Sequence, residues 1–216
     1  GKIGLATGDM VVYNPQGVNR LLVMANNATT GASISSTGAV VAAQVELKAA
    51  GGDPTALAVN VAGAITAQGF DVSQGQIIIS ATRGQVDVAG NLVATTQVAS
   101  DPSMNFQGSD IQITGDGLTV KSGANLQTFA GDGRDGGRIQ IGQAEGGLPS
   151  EDIAASRITV ESGARISADG ATGGGTVHVG GGWKGQDESL ANAQQTVVQA
   201  NSQISANATG NGNGGE

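Results

Sequence analysis

The chain of 216 residues contains no cysteine, four prolines and five aromatic residues, Tyr13, Phe70, Phe106, Phe129 and Trp183. Without cysteine there are no disulfides, no thiolate metal sites and no cysteine nucleophile, although the compartment stays open. Without large rings, a hydrophobic fraction of 38% has to come from Ala, Val, Ile and Leu, so the core is thin and aliphatic and an ordinary α/β enzyme core is disfavoured. Basic residues are also scarce, 10 against 18 acidic, for a net charge of −8. Phosphate backbones and anionic membrane surfaces repel such a chain, and no basic cluster overrides the average, so nucleic acid is not an expected partner. There is no run of 18 apolar residues to span a bilayer as a helix. The start at Gly1 shows neither a charged segment nor an apolar stretch of a signal peptide, and the expectation is of a segment cut from a longer repeating pattern.

What the chain has in excess is glycine, 37 residues, and internal repetition. Residues 118–141, LTVKSGANLQTFAGDGRDGGRIQI, and 158–179, ITVESGARISADGATGGGTVHV, share one plan: strand, Ser-Gly-Ala, strand, a Gly/Asp loop, strand. A third copy begins at Thr196, and shorter ones surround Leu92, Ile65 and Ile34. The spacing of these anchors varies because residues are inserted between strands, which a solenoid tolerates by projecting them outwards.

Within each unit apolar residues alternate, as in Ile158-Thr159-Val160, Val177-His178-Val179, Val86-Asp87-Val88 and Ile111-Gln112-Ile113. Period two means strands with one buried face, and Gly, Asn, Asp and Ser between them mean sharp turns. Helical periodicity is confined to Ser150–Ser156 and Glu188–Gln195, both in insertions. Three short strands per repeat predict one coil of a parallel β-helix, with coils stacked about 4.8 Å apart. Like residues then form ladders: Ile65, Leu92, Leu126, Ile166 and Ile204, joined by Ile34, in one; Leu118, Ile158 and Val197 in a second; Ile139 and Val177 in a third. The expected architecture is all-β, a right-handed parallel β-helix over residues 1–216 as a single segment. The Asn/Gly-rich stretch from Asn207 reads as an inter-strand loop, like residues 168–175 before Thr176-Val177-His178-Val179.

Three stretches, GKIGLATGDMVV (1–12), QVELKAAGGDPTALAVNVAGAITAQG (44–69) and residues 173–216, resemble the filamentous-haemagglutinin-like exoproteins of the two-partner secretion pathway. That resemblance implies a right-handed β-helix, secretion from a Gram-negative bacterium through an outer-membrane transporter barrel, and work as an adhesin or stalk at the cell surface. Asn14-Pro15-Gln16-Gly17 is similar to the family's Asn-Pro-Asn-Gly turn but differs at its third position, and is read as an ordinary β-turn.

Other motifs have plain alternatives. Residues 131–136 fit G-x-G-x-x-G, but a strand follows where a dinucleotide site needs a helix. The same loop resembles a glycine/aspartate calcium repeat, yet it is single and Arg134 sits inside it. His178, between two inward valines, is expected to face outwards as a surface residue. Asp110, Asp116, Asp132, Asp135, Asp152 and Asp169 read as solvated turn formers rather than the facing carboxylate pair of a glycosidase. Asn27-Ala28-Thr29 and Asn207-Ala208-Thr209 match the glycosylation sequon at a frequency such a composition gives by chance. Trp183 and Lys184, in the insertion before Thr196, are the candidate partner-contact residues, with a lid over the coil as the competing reading for Trp183. The sequence therefore predicts no catalytic, cofactor or metal site. It predicts a non-catalytic rod that presents loops to a surface receptor or glycan, with end-to-end self-association through open coil ends. The rival reading is a β-helix that binds or cleaves polysaccharide.

Overall fold

The computed structural model describes residues 1–13, 21–24, 31–70, 74–97, 108–130, 135–142, 155, 157–186 and 192–216. In chain order the strands are β1 (Lys2–Thr7), β2 (Met10–Tyr13), β3 (Leu21–Met24), β4 (Ile34–Ser36), β5 (Ala39–Ala42), β6 (Gln44–Ala50), β7 (Leu57–Val61), β8 (Ala64–Phe70), β9 (Gln76–Thr82) and β10 (Gln85–Val88). They continue as β11 (Asn91–Gln97), β12 (Asp110–Thr114), β13 (Gly117–Val120), β14 (Asn125–Ala130), β15 (Arg138–Ile141), β16 (Arg157–Val160), β17 (Arg165–Ser167), β18 (Thr176–Val179), β19 (Gln195–Val198) and β20 (Gln203–Ser205).

All but two of these strands form three six-stranded parallel sheets. The first runs β1-β6-β9-β12-β15-β18, the second β4-β7-β10-β13-β16-β19, and the third β5-β8-β11-β14-β17-β20. The chain visits the sheets in that order six times, which makes it a right-handed parallel β-helix with three strands per coil. The hairpin β2–β3 is antiparallel and stands outside the coils.

The interior consists of aliphatic ladders. In the third sheet Val40, Ile65, Leu92, Leu126, Ile166 and Ile204 lie in register, and the four between Val40 and Ile204 are at most 1% exposed. In the first sheet Val45, Ile77, Ile111, Ile139 and Val177 stack. In the second, Val59, Val86, Leu118 and Ile158 do the same. Burying each such side chain is worth about 1.5–3 kcal/mol, and short aliphatics at the 4.8 Å repeat fill a narrow prism without rings.

Two expected ladder members are displaced. Ile34 pairs with Val59 in the second sheet, and Val40 takes its place in the third. The aligning feature is Gly-x-aliphatic: Gly38-Ala39-Val40 stands over Gly63-Ala64-Ile65 and Gly90-Asn91-Leu92, so the similar run around Ile34 is a strand of the preceding sheet. Val197 pairs with Thr159, while Thr196 lies over Ile158 and Val198 over Val160. A Thr in the inward position beside two consecutive valines shifts the apparent register by one residue, which turns every side chain over.

The corner between the second and third sheets changes along the molecule. In the first coils it is a tight passage at Gly38, Gly63 and Gly90. A Cβ on Gly90 would lie 1.7 Å from the Gly63 carbonyl oxygen, so only glycine stacks there. From the fourth coil the corner is a four-residue β-turn: the Ala124, Ala164 and Ser202 amides donate to the Lys121, Glu161 and Gln199 carbonyls at 3.0, 3.1 and 3.3 Å. The third residue of each turn is left-handed, with Gly123 at φ 80°, Gly163 at φ 82° and Asn201 at φ 63°. The turns are tied to one another, because Glu161 Oε2 accepts from Ser122 N at 3.0 Å and Gln199 Oε1 from Ser162 N at 3.1 Å.

The stretch from Asn207 is an inter-strand loop stacked on residues 169–175. Gly170 N donates to Asn207 O, Gly174 N to Asn213 O, and Val177 N to Glu216 O, so Glu216 lies beside the first sheet as the next strand position would.

Candidate functional site

Insertions leave the coils mainly at the two borders of the first sheet. Residues 8–33, 142–156 and 180–194 separate it from the second sheet, and residues 71–75, 98–109 and 131–137 separate the third sheet from it. The outer face of the first sheet is covered over its middle. Its middle outward column runs Glu46, Ile78, Gln112, Gln140 and His178 in register. Glu46, Ile78, Gln112 and Gln140 are 5%, 6%, 9% and 2% exposed, although all point away from the coil interior.

Covered charges are paired there. Glu46 Oε2 meets Lys48 Nζ at 3.5 Å, and burial pulls the Lys48 ammonium below its ordinary pKa against the opposing pull of Glu46. Asp110, expected as a solvated turn residue, opens β12 instead and is 4% exposed. Its carboxylate accepts from Arg138 Nε at 3.1 Å, Gln112 Nε2 at 2.7 Å and Gln76 Nε2 at 3.3 Å. That network joins three successive coils and satisfies the buried charge, which answers why an Asp is tolerated inside the covered face.

His178 faces outwards as its neighbours Val177 and Val179 require, but its side chain is only 17% exposed. It lies over Gln140, its Nδ1 and Nε2 make no hydrogen bond, and Nε2 is 3.9 Å from Glu216 Oε1. Its surroundings are thus a covered polar face rather than open surface.

The other acidic candidates separate. Asp132 and Asp152 lie outside the described residues. Asp116 sits in the turn before β13, and burial raises its carboxyl above the usual range against the Gly84 amide and the Arg83 charge. Asp135 accepts from Thr172 Oγ1 at 3.2 Å. At Asp169 burial acts upwards, but hydrogen bonds from Asn207 N at 2.6 Å, Ser167 Oγ at 2.7 Å and Ser205 Oγ at 2.8 Å outweigh it and hold the carboxyl low. Asp169 therefore fastens one coil to the next. Among the described residues, no group of three His, Cys, Asp or Glu side chains is placed to hold a metal ion.

Lys184 lies in the short 3₁₀ turn Trp183–Gly185 between β18 and β19; it is exposed and left-handed at φ 57°. Asn192 Nδ2 closes that turn by donating to Gly185 O at 3.1 Å. The Trp183 side chain, and with it the lid reading, lies outside what the structure describes. So do Asn14-Pro15-Gln16-Gly17, the Asn27 sequon, residues 131–134 of the glycine loop and most of the two segments with helical periodicity. Asn207 and Thr209 of the second sequon are exposed.

The third sheet presents a different outer face. Its outward positions include Val41, Thr66, Gln68, Phe70, Val93, Gln97, Gln127, Phe129, Ser167 and Ser205, and Arg165 is the one charged residue in its strands. Phe70 and Phe129 are 59% and 38% exposed. Sequence reasoning placed no function here, because the two rings are 59 residues apart and share a face only through coil stacking.

No family model, curated protein or solved structure matches this chain.

Proposed function

We propose that this chain is a non-catalytic structural and adhesive segment of a secreted bacterial cell-surface exoprotein of the filamentous-haemagglutinin-like, two-partner-secretion kind. The observation that carries the reading is the division of labour in the fold: an aliphatic shaft whose ladders keep register through six coils, with variable insertions leaving at the borders of one sheet. A β-helix stiffens by stacking and displays its insertions at a fixed distance from its base. The acids that suggested a hydrolase are occupied otherwise, Asp110 in an ion pair and Asp169 in a turn clasp.

The partners of this reading are an outer-membrane transporter barrel during export, a receptor or glycan on a host or bacterial surface, and further copies at the coil ends. Lys184 and Trp183 remain the proposed loop contacts. The test is to display the chain on a non-adherent bacterium and measure attachment to epithelial monolayers, together with a reducing-sugar assay on the purified chain. Attachment that soluble chain competes away, with no sugar released, is expected. Turnover of a polysaccharide would overturn the reading, and so would display without attachment.

A further inference from the structure

The rival class, a β-helix that binds polysaccharide, requires aromatic rings brought to one outer face, and the coil stack does this where the sequence hides it. Phe70 and Phe129 follow the inward residues Gly69 and Thr128, so both project from the outer face of the third sheet. Phe129 is in register with Thr95, and Phe70 with Gln97, two coils and two residues apart along the face. At about 4.8 Å per coil and about 3.3 Å per residue the two positions are about 12 Å apart.

Around and between them stand Gln68, Gln97 and Gln127, with Asn91 and Asn125 along one side and Thr66, Val93 and Ser167 filling the rest. These are carboxamides, hydroxyls and short aliphatics. Among the described strand residues of this face the one charge is Arg165, at the edge beside Asn125 and bonded to Gln203 Oε1 at 2.7 Å, in a chain whose net charge is −8.

We infer that the outer face of the third sheet binds a neutral, unbranched polysaccharide, with Phe70 and Phe129 stacking on sugar rings and the glutamine and asparagine amides bonding hydroxyls. Three features select this occupant. Amides donate and accept at once, which suits hydroxyl groups, and an aromatic face suits the C–H side of a sugar. A single guanidinium at the edge, already bonded to Gln203, is outweighed by the chain's net charge of −8, which disfavours polyanions. The flat area, about 20 Å by 17 Å, is on the order of 350 Å², well short of the roughly 800 Å² per partner that a specific protein interface buries. A single extended glycan is narrow enough to be served by it.

The inference rests on the adhesive reading above and supplies its ligand class. The experiment is calorimetric titration of the whole chain with cellohexaose, laminarihexaose and mannohexaose, with polygalacturonate as the charged comparison, at low and high salt. Binding of at least one neutral hexasaccharide, unchanged by salt, is expected. Phe70→Ala and Phe129→Ala should each weaken it about tenfold or more. Gln97→Glu, an exposed change, and Gln127→Glu, a half-buried one, each with the coils intact by circular dichroism, should weaken it as well. Thr55→Ala, an exposed change in the turn before β7, should not. Failure of all three neutral probes to bind would overturn the inference, as would binding indifferent to both phenylalanines or a preference for polygalacturonate. Reversible dimerisation abolished by Phe129→Ala would also overturn it in favour of a second copy. Loss of glycan binding leaves the rod standing, whereas sugar release by a bound chain would remove the non-catalytic reading and keep the face.

Discussion

The first and third sheets have the same inner faces and opposite outer ones. Inside, Ile77, Ile111 and Ile139 of the first sheet and Ile65, Leu92 and Leu126 of the third are equally buried. Outside, the first sheet carries Glu46, Lys48, Asp110 and His178 under cover with Arg138 half-exposed beside them, whereas the third carries amides, two phenylalanines and Arg165. Charge gathers on the covered face, whereas the strands of the exposed one carry Arg165 alone, the reverse of the usual distribution. Covered charge at Asp110 fastens coils together, because its carboxylate meets Arg138 of the adjacent coil, while Glu46 pairs with Lys48 of its own strand. On the open face such ties gather at the last coils, where Arg165 donates to Gln203 at 2.7 Å and Ser167 and Ser205 donate to Asp169 at 2.7 and 2.8 Å; we propose that the positions from Thr66 to Gln127 serve a ligand.

Substitutions can break this contrast in order of size. Leu126→Ala and Ile111→Ala should each cost about 2–5 kcal/mol, equal within error, since the inner ladders do not sense what lies outside; urea midpoints measure both. Asp110→Ala removes the acceptor shared by Arg138, Gln112 and Gln76 and should cost about 2–3 kcal/mol, while its outward counterpart Gln127→Ala in the third sheet should stay within about 0.5 kcal/mol. A loss at Gln127 as large as at Asp110 would erase the distinction between the faces.

Asp169, at the border where the third sheet hands over to the first, gives a smaller and pH-dependent effect. Its carboxyl is held low in the folded chain, so its contribution is complete above the ordinary carboxylate value and is lost as pH falls through the lower folded value. Asp169→Asn should cost about 1 kcal/mol at neutral pH, and the gap from the unaltered chain should close on acidification. Asp116, raised by burial, shifts stability in the opposite sense, but it is common to both chains and cancels in the comparison. Smallest of all, Gly123→Ala meets no atom within 4 Å and should cost about 1 kcal/mol or less through its positive φ alone, whereas Gly90→Ala drives a methyl into backbone and should cost more.

The coil and the ladders were legible because Leu126 and Ile166 recur at a fixed offset after a Ser-Gly-Ala turn, and because alternation assigns faces without any knowledge of partners. The misplacements had local causes. Ile34 lies in a run that imitates the one around Ile65, and Val197 stands beside a second valine that hides the true inward position. The covered outer face was harder to read, since alternation states which way Glu46 or Gln140 points and not what lies over it. One signal was present: Ile77-Ile78-Ile79 breaks the alternation, and an apolar run without polar interruption marks a strand buried on both sides. The pairing of Phe70 with Phe129 on one face could not be found in the linear order, because it depends on how many residues each coil consumes.

The hydrogen bonds of the sheets run along the stacking axis, so a pull on the two ends of the molecule loads each junction between coils in turn. Those junctions are unequal. The strands β8 and β11 grip each other from Ala64 to Phe70, but β17 and β20 only from Arg165 to Ser167. In the third sheet the late junction therefore sets fewer strand bonds against a pull along the axis than the broad early one, and leans on the Asp169 clasp and the stacked loops beside it.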